Sequence, residues 1–152
     1  MVGFVVVSHS KALAEEAIRL ANEMKKESFP LLNGSGIEGE SFGRNPCSIK
    51  ETIEKAMTEN GVVIFVALGS SVLNSQIALE FLEAEGKEIS KIKIADAPLV
   101  EGLIAAVAMN DTKASVEDIL TELKEFKQFS KINAQALAFL EKIRYIPRRN
   151  IV

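Results

Sequence analysis

Two periods of apolar and polar positions alternate along the chain. Residues 3–8 (GFVVVS) are a β-branched and aromatic run, which predicts a first strand. Residues 11–25 then place Leu13, Ala14, Ala17, Ile18, Ala21 and Met24 on one face at helical spacing. Ser10 is the expected N-cap of that helix, with Glu15 and Glu16 early in it, where negative charge is favoured. Residues 28–33 (SFPLLN) predict a second strand, and Pro30 points to an edge position because it lacks an N–H.

A Gly- and Ser-rich stretch, residues 34–48, follows; it is long for a connection in a compact domain, as functional loops often are. The Ser48/Glu51 spacing predicts a capping box opening a helix over 49–60, with Gly61 as its stop. Residues 62–68 (VVIFVAL) are an unbroken apolar run, the mark of a strand buried on both faces. Residues 69–86 predict a turn and a helix closed by Gly86. Residues 89–96 alternate like a fourth strand, and residues 97–110 form a short apolar helix with Asp96 as cap. Ser115 and Asp118 open a further helix by the capping-box rule. A last helical stripe lies over 130–145 (Ile132, Ala136, Phe139, Leu140, Ile143).

Strands alternating with helices imply an α/β fold: an open, mainly parallel sheet with helices on both faces. In the flavodoxin-like strand order 2-1-3-4, ligands sit outside the carboxyl ends of strands one and three, where the chain direction reverses. Those ends carry Ser8-His9-Ser10 and Leu68-Gly69-Ser70-Ser71. A strand order is not readable from local pattern, so 2-1-3-4 is an expectation.

Length and composition narrow the setting. A chain of 152 residues suits one domain and buries about 70% of its unfolded surface without covalent staples. Cys47 is the single cysteine, which excludes an internal disulfide and a Cys-rich metal site and fits a reducing, cytoplasmic setting. No 18-residue apolar run occurs, so no membrane insertion is expected. The apolar start MVGFVVVSHS lacks a basic region and a small-residue cleavage site, and reads as a strand, not a signal peptide. A net charge of −3 argues against nucleic acid as a partner; the basic IRYIPRRNIV terminus reads as solvated surface.

His9 is the only histidine. It is either a surface residue of a loop before a helix or a nucleophile or general base at the crevice. A metal role is disfavoured because zinc takes about four ligands and no second histidine exists. A Ser-His-Asp hydrolase is disfavoured because no G-x-S-x-G elbow is present. A histidine acting alone suits the acceptance and onward transfer of a phosphoryl group, since imidazole is nucleophilic near neutral pH. The phosphoryl oxygens then need N–H and hydroxyl donors, which helix N-termini and Gly-rich turns supply. The candidates are Ser10, Gly34-Ser35-Gly36 and Gly69-Ser70-Ser71. Each taken alone is more often only a turn or a cap.

Three segments, VVVSHSKALAEEA, VALGSSVLNSQIALEFL and IADAPLVEGLIAAV, together resemble the mannose-type enzyme IIA family of the sugar phosphotransferase system. The similarity is to its branch formed by DhaM, the phosphotransferase subunit of phosphoenolpyruvate-dependent dihydroxyacetone kinase. It covers about residues 1–125, leaving 126–152 as a C-terminal helical extension. The resemblance implies the mannose enzyme IIA fold and a homodimer. It implies that His9 takes a phosphoryl group from the phosphocarrier HPr and passes it to ADP held by the partner subunit DhaL, for phosphorylation of dihydroxyacetone. It implies no cofactor for this subunit. One variant of this reading is a sugar-specific enzyme IIA that hands phosphate to an enzyme IIB. Ala67 stands where the family pattern carries an Asp, and the loop keeps its glycines but has Phe42-Gly43-Arg44 near the family's I-G-T. The Ala67 departure supports a reading of another class, a non-catalytic regulatory module on the same fold.

Overall fold

A computed structural model describes residues 1–36, 45–128 and 132. The first strand, β1 (Gly3–Val7), is buried along its whole length. It is followed by α1 (Lys11–Asn22), β2 (Leu31–Asn33), α2 (Asn45–Ala56), β3 (Val62–Val66), α3 (Gly69–Ala84), β4 (Ile92–Ile94), α4 (Leu99–Met109) and α5 (Val116–Leu123). A short 3-10 helix, Lys124–Gln128, follows α5. All three strand pairings are parallel, and the sheet order is β2-β1-β3-β4, the expected 2-1-3-4.

Why helices cover both faces follows from the side-chain alternation of β1 and β3. Phe4, Val6, Val63 and Phe65 pack on one side with Ala14, Leu103, Ile119, Leu123 and Phe126, the side of α1, α4 and α5. Val5, Val7, Val62 and Ile64 pack on the other with Ile49, Ile53 and Leu82, the side of α2 and α3. Phe4 anchors the first cluster through edge-on contacts with Phe29 (5.5 Å between ring centres) and Phe65 (5.2 Å). Residues inward on both faces of the sheet explain the unbroken apolar runs.

Local signals hold at several places. Ser10 caps α1, its hydroxyl accepting the Leu13 N–H at 3.1 Å. Ser115 and Asp118 form the expected capping box. Gly86 adopts φ +78° after α3; its N–H reaches Glu83 O and that of Lys87 reaches Leu82 O, the paired bonds of a Schellman end. Pro30 immediately precedes β2, which is an edge strand.

Other expectations need correction. Helix α2 opens at Asn45, with Pro46 in the first turn, where a missing N–H costs nothing. Ser48 is therefore inside the helix, where its carbonyl accepts the Thr52 hydroxyl, and it cannot form a capping box with Glu51. The same helix stops at Ala56, short of the expected residue 60, and Thr58 beyond it donates its hydroxyl to Met1 O at 2.6 Å. Asp96 does not cap α4; the cap position is Pro98, without a side-chain bond. Glu15 and Glu16 fall beyond the first turn of α1, which contains no acidic residue. Leu13, expected on the buried face of α1, is half exposed; the helix buries the narrower stripe of Ala14, Ala17 and Ala21. The Phe42-Gly43-Arg44 stretch and, apart from Ile132, the helix expected over 130–145 lie outside the described residues; Ile132, expected on the apolar stripe of that helix, is exposed.

Candidate functional site

The carboxyl ends of β1 and β3 meet as the parallel topology requires. Val7 pairs with Val66, and the pairing runs one step further through the Ala67 N–H, which donates to Val7 O at 3.1 Å. Ala67 thus lies beside the step from Val7 to Ser8, and the turn carrying His9 faces the start of α3. The exposed His9 ring has its Nε2 hydrogen-bonded to Ser70 Oγ, 61 positions along the chain.

Serines hold the His9 turn. Ser8, almost fully buried, donates its N–H to Ser35 Oγ at 3.0 Å. Its hydroxyl reaches across His9 to accept the Ser10 N–H at 3.1 Å. Ser10 in turn is committed to the α1 cap. Ser35 donates its own N–H to Asn33 Oδ1 at 2.9 Å. The histidine backbone is therefore bracketed by bonds on both sides, while its ring projects to the opening.

Helix α3 supplies the positive end. Its cap residue, Leu68, is extended and gives no side-chain bond. The Ser71 N–H turns back to Leu68 O at 2.9 Å. The Gly69 and Ser70 N–H groups, as the first two of a helix, have no intrahelical acceptor. Sixteen residues of aligned peptides place roughly half a positive charge here. A Cβ added at Gly69 would meet nothing within 4 Å, so this end is open. An anion approaching His9 Nε2 finds the Ser70 hydroxyl and this helix end together.

Of the expected donors, Ser70 bonds the ring, and Gly69 precedes it at the helix start. Ser70, Ser71 and Ser35 join Ser8, His9 and Asn74, with Val7 and Ile49, around a small, mostly polar-lined cavity of about 10 Å³, about the space of one water. Gly34 belongs to the scaffold: its N–H bonds Val6 O at 2.9 Å, and a Cβ there would sit 2.9 Å from Val5 Cγ1. Gly36, at φ +79°, opens the loop and makes none of the described bonds at the ring. Sequence reasoning missed Asn33 and Asn74. Asn74 carried a usable signal, since it lies one helical turn beyond Ser70 and Ser71. No group of three metal-ligating side chains occurs among the described residues. No described helix is long and apolar enough to cross a membrane.

Residues 3–120 match the family model described as PTS system fructose IIA component. The chain belongs to this mannose-type enzyme IIA family. Its curated relatives include the phosphoryl donor subunit DhaM of PEP-dependent dihydroxyacetone kinase 2 from Listeria innocua, 33% identical over 123 residues, covering 81% of this chain and 97% of the relative. DhaM of Providencia stuartii is 32% identical over 131 residues and DhaM of Escherichia coli 31% over 123, covering 84% and 79% of this chain. The chain spans only about a quarter of those two longer relatives (27% and 26%). The crystal structure of a protein of unknown function is similar in fold, with a TM-score of 0.68 and 26% identity over 86% of this chain and 98% of that one. The chain is a DhaM-like protein with the mannose enzyme IIA fold.

Proposed function

We propose that the protein is a phosphohistidine carrier. His9 accepts a phosphoryl group from HPr and passes it to ADP held by a DhaL-type partner, which supports phosphorylation of dihydroxyacetone. The observation that carries the reading is the placement of a solitary imidazole, hydrogen-bonded to Ser70, at the uncapped start of α3. In the first step the donor's phosphorus–nitrogen bond breaks as one forms to His9. In the second that bond breaks and a phosphorus–oxygen bond forms to the β-phosphate of ADP. The phosphoryl oxygens would take donors from the Gly69 and Ser70 N–H groups and the Ser70 hydroxyl, with Ser71, Ser35 and Ser10 supporting the turn. Attack through Nε2 requires that nitrogen to be unprotonated and its bond with the Ser70 hydroxyl to break, after which the hydroxyl can donate to a phosphoryl oxygen.

In this reading residues 1–125 are the carrier unit and 126–152 are appended to it, and the protein acts in the cytoplasm. A homodimer is supported by the outer edge of β4, which has no strand partner among the described residues, and by exposed Leu73 and Phe81 on α3. The sugar-specific variant, with an enzyme IIB as acceptor, is favoured by the description of the matching family model. The regulatory variant is favoured by Ala67, an uncharged residue beside the His9 turn.

The test is phosphoryl acceptance. With labelled phosphoenolpyruvate, enzyme I and HPr, the wild type becomes labelled and His9→Ala does not. Absence of label on the wild type while HPr is labelled sinks both carrier readings and leaves the regulatory one. Chase with DhaL–ADP or with an enzyme IIB then selects the acceptor. Ala67→Asp speeds transfer if a carboxylate at this position serves the ring; an unchanged rate shows that the site works without one.

A further inference from the structure

We infer that Asn33 is a positioning residue for His9, fixing the turn that carries the imidazole by bridging two chain segments. The inference rests on the phosphohistidine reading for its consequence, and on hydrogen-bond geometry for its existence.

Asn33 is the last residue of β2 and pairs in register with Val6 of β1. Strand alternation places it on the same face as Leu31, which belongs to the cluster under α1. Its amide is used at both ends. Oδ1 accepts the Ser35 N–H at 2.9 Å, and Nδ2 donates to Lys11 O at 3.1 Å. Ser35, held this way, presents its hydroxyl to the Ser8 N–H at 3.0 Å. Lys11 is the first residue of α1. One side chain thus reaches the chain before His9 through Ser35 and the chain after it through Lys11. The Ser8 hydroxyl closes the arrangement by accepting the Ser10 N–H.

This matters for transfer because the ring reaches Ser70 across a gap between separate elements. Phosphoryl transfer depends on in-line placement, and a misplacement of about 1 Å can cost about a hundred-fold in rate. Asparagine suits the role because it alone among small side chains offers an acceptor and a donor on one planar group. Asp keeps the acceptor for Ser35 but meets Lys11 O with a second acceptor. Ala keeps neither.

Two readouts test the inference. Asn33→Ala lowers the maximal rate of phosphoryl acceptance from HPr about ten-fold, with little change in the half-saturating HPr concentration. Asn33→Asp falls between Asn33→Ala and wild type. Independently of any phosphoryl donor, ¹⁵N-edited NMR of the imidazole reads the ring directly, and its signals belong to His9 because no other histidine exists. In the wild type Nε2 shows one hydrogen-bonded environment; in Asn33→Ala its shift moves toward that of a solvent-exposed imidazole. If Asn33→Ala does not fold, Ser35→Ala removes the acceptor of the Ser8 N–H and produces the same ring shift. Ring signals that superpose on wild type in a folded variant overturn the inference, as does a wild-type maximal rate in both Asn33 variants. Should the wild type accept no phosphoryl group, the carrier reading falls and the NMR comparison alone decides the positioning role.

Discussion

Gly3 and Gly61 at the amino end of the sheet and Gly69 at its carboxyl end put the same residue type to opposite use. At the amino end, glycine and asparagine close the structure. A Cβ on Gly3 would lie 1.9 Å from the Ala56 carbonyl oxygen. Gly61 holds φ +105°, and a Cβ there would lie 2.3 Å from Lys91 O. Buried Asn110 spends its whole amide on Val2, accepting its N–H at 3.0 Å and donating to its carbonyl at 2.8 Å. At the carboxyl end, Gly69 faces open space, the Ser70 hydroxyl bonds the His9 ring, and Asn74 lines a small polar cavity. Residue type is the same; what stands opposite each residue decides whether it is scaffold or site.

Substitutions that exchange the roles of the two ends sharpen this contrast. The largest effect on stability belongs to Gly3→Ala. The new methyl meets backbone, not a movable side chain, so the cost is about 3 kcal/mol or more. Thermal denaturation then shows a fall of about 10 °C, while protein that remains folded keeps its phosphoryl acceptance. An unchanged melting temperature would mean the amino end has slack that the geometry denies.

Asn110→Ala comes next. It leaves the N–H and carbonyl of Val2 without their partner in a buried setting, a loss of about 2 kcal/mol measured by urea denaturation. The matched change at the other end, Gly69→Ala, has the opposite profile. Nothing opposes the methyl, and alanine is the better helix former, so stability holds or rises by about 0.5 kcal/mol. Phosphoryl acceptance falls roughly ten-fold, because the methyl occupies space beside the N–H donors at the helix start. If Gly69→Ala destabilises the protein and leaves transfer intact, the contrast between the ends fails.

The smallest effect lies away from both ends, where Lys50 of α2 bonds Glu85 after α3 at 2.5 Å. The hydrogen bond from Lys50 to Glu85 raises the lysine above its ordinary value of 10.5. A raised lysine contributes stability that is fully present below the unfolded value and disappears as pH climbs through the folded one. The melting temperature of Lys50→Ala therefore lies slightly below that of wild type at neutral pH. The two converge in strongly alkaline buffer, above the ordinary lysine range, and also in high salt.

Much of this was legible in the residues, because the signals act within one turn or one strand. Ser10, Ser115 with Asp118, and Gly86 lie within a few positions of the groups they bond, so their spacing announces them. Ser48 shows how a local signal misleads. Its spacing to Glu51 is that of a capping box, yet the helix was already open at Asn45, with Pro46 in its first turn. Asp96 failed similarly, since the chain runs two residues further before α4 takes its cap at Pro98. Asn33 carried half a signal: its bond to Ser35, two positions on, is a local turn, but Lys11 comes within reach only when β2 pairs beside β1.

By itself the sequence determined the elements, the two-sided burial of β3, and the singling out of His9, because each follows from periodicity, capping or the lack of any second histidine. Tertiary structure alone decided which polar groups meet. His9 and Ser70 are 61 positions apart, and no local rule spans that distance. Parallel pairing of β1 with β3 brings their carboxyl ends together, and only in that topology does the α3 terminus reach the imidazole while the Asn33 bridge and Ala67 meet the chain on either side of it.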